Sequence, residues 1–129
     1  MPNTIAHVTY LVYDYDEAIA WFCSALNFKL FEDTSLGGAK RWVVVGPPTD
    51  SGARFLFAKA DGAEQELHIG KAAGGRVAYF LNTDNFASDH KHMLTKGVQF
   101  QEEPRHEAYG TVAVFSDLYG NKWDLLQRK

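Results

Sequence analysis

With 129 residues, 46% of them hydrophobic and 14% aromatic, the chain is long enough to bury one core and too apolar to be disordered. A formal charge of -3, with no long run of like charge, excludes the basic field that a nucleic-acid partner needs. No apolar run approaches the roughly 20 residues that cross a bilayer, and Met1-Pro2-Asn3-Thr4 lacks the basic and apolar regions of a secretion signal, so the expectation is a soluble cytoplasmic protein with no membrane partner.

Ile5 to Tyr13 alternate and are rich in β-branched and aromatic residues, which predicts a first strand. Asp14, with Glu17 three residues on, suits an N-cap for a helix through Leu26 that sets Ala18, Ile19, Phe22, Cys23 and Leu26 on one face. Cys23, the single cysteine, excludes an internal disulfide and reads as a small core hydrophobe. Asn27 suits a left-handed C-cap before a strand over Phe28 to Glu32. Arg41 to Val45 and Arg54 to Ala58 follow as strands joined by a turn-rich segment, and residues 61–74 read as a flexible linker with one short extended piece.

The pattern then restarts. Arg76 to Leu81 reads as a strand, Asp84 as a cap, Phe86 to Lys96 as a helix, Gly97 as a C-cap and Val98 to Glu102 as a strand. Asp14, Asn27 and Leu30 recur as Asp84, Gly97 and Phe100, each 70 residues on, while Phe55-Leu56-Phe57 recurs as Trp123-Asp124-Leu125 at 68. One domain over 1–129 built from two βαβββ modules, about 4–60 and 75–128, accounts for that rhythm.

The last module closes with two strand-like runs around Asp117-Leu118-Tyr119-Gly120-Asn121, a hairpin. Asp124 interrupts the second run. Alternation sends Trp123 and Leu125 to the core and Lys122, Asp124 and Leu126 to the other face, where a mid-strand carboxylate either meets open water or lines a pocket.

A tandem βαβββ pair, with His7 early in the first strand and Gly120-Asn121-Lys122-Trp123-Asp124-Leu125 at the end, resembles the vicinal oxygen chelate superfamily of glyoxalase I, bleomycin-resistance proteins and extradiol dioxygenases. The resemblance implies an α+β fold in which tandem modules form a curved mixed-sheet half-barrel with helices on the convex side. It also implies a cup-shaped site, with metal ligands in metal-using members drawn from the first and last strand of each module. Those positions here are His7, Leu56, Val77 and Asp124, of which only His7 and Asp124 can bind a metal. A divalent ion would need further ligands, and Glu64, Glu66 and His68 would supply one if the linker folds over the cup, although such residues are ordinarily solvated.

A lone histidine on a strand is ordinarily a hydrogen-bonded structural residue. His7 and Asp124 are equally suited to act without metal, the carboxylate holding the imidazole while His7 serves as general base. Residues in step with His7 and Val77, namely Thr9, Leu11, Tyr79, Leu81 and Leu126, are expected to face the cup, together with Val77 and Leu56 at the positions that the resemblance implies. Trp42, Arg105 and Tyr109 are rim residues on this view, and His90, His92 and His106 are packing or surface residues.

Three functions are consistent with these residues. One is a glyoxalase-related lyase or isomerase acting on a small oxygen-bearing substrate; another is a metal-free protein that sequesters a ligand, as bleomycin-resistance members do. A ring-cleaving dioxygenase fits least, because the two histidines and carboxylate that ferrous iron requires are absent from the matching positions. A homodimer is expected from exposed sheet edges and the family resemblance.

Overall fold

The computed structural model describes residues 2–129. The chain divides into two compact units, one ending at Ile69 and the other spanning Gly70–Lys129.

In the first unit the strands β1 (His7–Val12), β2 (Lys29–Ser35), β3 (Arg41–Gly46) and β4 (Arg54–Lys59) form a mixed sheet in the order β1-β4-β3-β2, with β1 parallel to β4. The helix α1 (Tyr15–Ala25) connects β1 to β2. It starts where its sequence says it should: the Asp14 carboxylate accepts from the Glu17 amide at 2.8 Å, satisfying a donor that has no partner inside the helix. It stops at Asn27, whose φ of 56° turns the chain left-handed, a conformation asparagine tolerates better than most residues. Its buried stripe of Ala18, Phe22 and Ala25 covers one face of the sheet, where Phe22 meets Tyr10 edge-on at 5.3 Å and Tyr10 stacks on Phe55 at 4.9 Å. Cys23 is half-buried on this helix, and burial pushes its thiol pKa up, away from the reactive thiolate.

The second unit repeats the plan. Strands β5 (Val77–Asn82), β9 (Lys122–Arg128), β8 (Gly110–Ser116) and β6 (Gln99–Phe100) lie in that order, with β5 parallel to β9 and β7 (Arg105–Glu107) also paired to β8. The helix α3 (Phe86–Thr95) joins β5 to β6. Its cap is Asn85, which accepts from the Ser88 amide, and not Asp84 as expected; the Asp84 carbonyl instead accepts from the Gln127 side chain.

Three other expectations change. Residues 61–74 carry no extended piece: Ala63–Glu66 forms a single helical turn, α2, closed by the Leu67 amide on the Ala63 carbonyl. The strand expected over Val98 to Glu102 is only two residues long. Beyond it the Val114 amide donates to the Glu102 side chain at 3.0 Å, in place of a backbone ladder bond, and pairing resumes at Arg105 after Pro104, which has no N–H to offer. Finally, β5 is bulged: Val77 pairs with Lys122 and Tyr79 with Trp123, so Ala78 is one residue too many for its partner strand.

The bulge breaks the internal repeat. His7 and Val77 hold equivalent places, 70 residues apart, but Val8 and Tyr79, the next equivalent pair, are 71 apart. A one-residue slip exchanges the faces of a strand.

Candidate functional site

On the first unit the sheet face turned away from α1 carries His7, Thr9 and Leu11 from β1, Leu56 from β4 and Trp42 from β3. His7 lies edge-on to Trp42, ring centroids 5.8 Å apart, and the Trp42 indole donates to the Glu32 carboxylate at 3.2 Å. The hydrogen bond fixes the indole, and the indole supports one side of the imidazole. Beside His7, residues 4–7 and 50–54 line an open cleft of about 790 Å³. Arg54, in register with His7, reaches this cleft with its guanidinium carbon 3.5 Å from the centroid of the Phe31 ring. The other arginine of this unit's sheet, Arg41, is engaged by Asp16 and Asp33 at 3.0 and 2.7 Å.

On the second unit the face turned away from α3 carries Val77, Phe80, Val114, Asp124 and Leu126. Phe80 is 64% exposed next to Asp124 on the neighbouring strand. Desolvation pushes the Asp124 carboxyl pKa up; Arg105 pulls it down and Glu102 raises it, but burial dominates. Arg105 is itself held by Glu102 at 2.9 Å and Glu107 at 3.2 Å. Thus Arg105 is a paired surface cation with its charge largely spoken for.

Tyr79 and Leu81, expected in step with Val77, are on the opposite face. Past the bulge they stand beside Trp123 and Leu125, and the Tyr79 ring lies 4.9 Å from that of Trp123. Burial, followed by the Asp117 charge, raises the Tyr79 hydroxyl pKa, as suits a residue directed into the core. Phe80 takes the place that strict alternation assigned to its neighbours.

The Asp117-to-Asn121 turn that marks the hairpin serves structure. Asp117, 6% exposed, accepts from the Tyr119 and Asn121 amides at 3.0 Å each and from the Trp123 indole at 2.9 Å. Asn121 accepts from the Ala72 amide at 3.0 Å. These carboxylate and amide groups are buried and saturated, so they hold the turn and the linker and have no chemistry left for a ligand. His90 packs between Phe86 and Phe100 at 5.5 and 4.5 Å, as expected of a packing residue.

A divalent metal does not fit these residues. Leu56 and Val77 offer no donor atoms, Glu64, Glu66 and His68 are exposed on the linker, and among the described residues no group of three His, Cys, Asp or Glu side chains is placed to hold an ion.

Residues missed from sequence were Arg54, Phe31, Glu32 and Phe80. Arg54 carries a signal in hindsight, since it opens the strand whose third residue, Leu56, matches Asp124; Phe31 reaches it only through a bulge of β2 between Leu30 and Glu32.

Comparison with known proteins gives a consistent result. An uncharacterized protein of Shewanella frigidimarina (strain NCIMB 400) is 51% identical over 128 residues, covering 98% of this chain and 95% of that one. The crystal structure of UcmS2 superposes with a TM-score of 0.82 at 29% identity, covering 98% of each chain. TnmS3, an antibiotic binding protein from Streptomyces sp. CB03234, does so with a TM-score of 0.80 at 23% identity, covering 99% of this chain and 98% of that one. Residues 4–125 match the family model described as Glyoxalase/Bleomycin resistance protein/Dioxygenase superfamily, and it is to this superfamily that the chain belongs.

Proposed function

We propose that the protein binds and sequesters a flat aromatic small molecule without using a metal. The observation that carries this is the His7–Trp42 pair, with the indole tied to Glu32, on a sheet face that also carries Leu11 and Leu56 beside an open cleft. Thr9, Leu11 and Leu56 supply the floor of that surface. On the second unit, Val77, Leu126 and Asp124 line the corresponding face, with Phe80 added. TnmS3, built on the same fold, is an antibiotic binding protein, which supports a binding role.

A second reading is favoured by one observation. Burial holds the Asp124 carboxyl pKa up, as suits a group that moves a proton, and this favours a lyase or isomerase with Asp124 as its acid. Sequestration ranks first because it rests on packed geometry, the His7–Trp42 pair beside its cleft, whereas this reading rests on one raised carboxyl pKa.

The test is a fluorescence titration with naphthamide, a neutral flat aromatic. Binding is expected to survive excess chelator and to weaken about fivefold or more in Trp42→Ala, the loss of one aromatic contact. Equal affinity in that variant, or affinity lost to chelator, would sink the proposal.

The proposal extends to a cytoplasmic homodimer. Sedimentation at micromolar concentration is expected to give about twice the chain mass of 14.5 kDa; a single species at the chain mass would rule the dimer out.

A further inference from the structure

The cleft beside His7 has a cationic wall that the aromatic-binding proposal does not use. Arg54 is its source, and three features fix that side chain in place. Its guanidinium lies over the Phe31 ring at 3.5 Å. Its Nη2 donates to the Thr49 carbonyl at a long 3.4 Å. Its stem runs past Gly46, where even a single added Cβ would come within 3.1 Å of the Arg54 Cγ. A glycine at that point on β3 makes room for the arginine to lie flat.

Stacking uses the π face of a guanidinium and leaves its N–H rim free in the plane, and that rim has the fork geometry that matches two oxygens of an anion. Arg41 and Arg105 have already given their forks to carboxylates of the chain. Among the described residues the Arg54 side chain donates one long bond, to Thr49, and it lines an open cleft together with His7 and residues 50–53. Asp50 lines the same cleft but is exposed on the loop, where water screens its charge.

We infer that Arg54, held by Phe31 and Gly46, forms an oxyanion subsite in the cleft, so that the preferred ligand is a flat apolar compound bearing a carboxylate or phosphate group. His7 joins the two parts, since it touches Trp42 and lines the cleft. The ligand class rests on the proposed function; the anion subsite stands on the cleft alone.

The experiment is an NMR titration of isotopically labelled protein with phosphate, with naphthoate and with its neutral counterpart naphthamide, following the amides of residues 51–54 and the Trp42 indole N–H. Phosphate is expected to move the cleft amides saturably. Naphthoate is expected to bind roughly tenfold or more tighter than naphthamide, the effect of one charge-assisted fork. Arg54→Gln and Arg54→Met should abolish the phosphate response and bring the ratio of the two affinities close to one; Met keeps the stem, so either folded variant decides. Equal affinities in the unaltered protein, or a ratio that survives both substitutions, would overturn the inference while a Trp42 response kept the aromatic face. If phosphate moves the cleft amides and neither naphthalene compound moves Trp42, the subsite stands and the proposed function falls.

Discussion

The two units share a plan and present different chemistry. On the first, the face away from its helix offers an imidazole, an indole and a stacked guanidinium; on the second, it offers a half-buried carboxylate, an exposed phenyl ring and a paired arginine. Part of that difference comes from substitution at equivalent places, Leu56 against Asp124. Part comes from one residue, Ala78, which turns the rest of β5 over. The two units therefore share a scaffold of ladders and caps, while a single extra residue is enough to change which side chains a strand shows.

The contrast can be broken by truncating residues that a strict 70-residue repeat would make equivalent. Tyr10 and Phe80 are such a pair, yet Tyr10 is 2% exposed within an aromatic cluster and Phe80 is 64% exposed. Tyr10→Ala is expected to cost about 3–5 kcal/mol in urea denaturation. Tyr79→Ala, against Trp123, should cost about 1–3 kcal/mol, and Phe80→Ala no more than about 0.5 kcal/mol. A Phe80 cost as large as that of Tyr10 would mean that no bulge separates the modules.

The smallest effect concerns Asp124 and sharpens the contrast by charge. Its pKa is raised in the fold, so the folded protein holds that proton more tightly than the unfolded chain. The stability it contributes is present below the unfolded carboxyl range, about 4, and is lost as pH rises through the folded value. Asp124→Asn should therefore be more stable than the parent at neutral pH, with the gain vanishing in acid. A gain that persists at low pH would show that desolvation of the ionised carboxylate is not its origin.

Much of the scaffold was legible because its signals are local. Asp14 and Asn27 act within a few residues of their own positions, and alternation along β1 and β9 needs no knowledge of the partner strand. The second helix cap slipped by one residue because Asp84 and Asn85 are both competent, and the Gln127 side chain, far along the chain, takes the Asp84 carbonyl. Pro104, where pairing pauses, is a local signal that the expected strand over Val98 to Glu102 did not use. The bulge at Ala78 had no such mark, since Val77-Ala78-Tyr79-Phe80 is compatible with a straight strand and only its pairing with β9 reveals the extra residue. For the candidate site, His7 and Leu56 came from the family resemblance and alternation added Thr9 and Leu11 on the same face, whereas Arg54 on Phe31 is a contact between β4 and a bulge of β2 that no spacing announces.

The linker's end bears on how such a chain can be cut and recombined. Gly70, at φ 77°, runs so near the Tyr119 carbonyl that an added Cβ would collide with that oxygen, and two residues later the Ala72 amide donates to the Asn121 side chain. The segment just after the boundary is thus fastened to the final hairpin of its own unit. A fragment beginning at Gly70 would carry its own latch, which makes the Ile69–Gly70 bond the natural seam for splitting this chain, for exchanging one half with that of a relative, or for opening new ends in a permuted version.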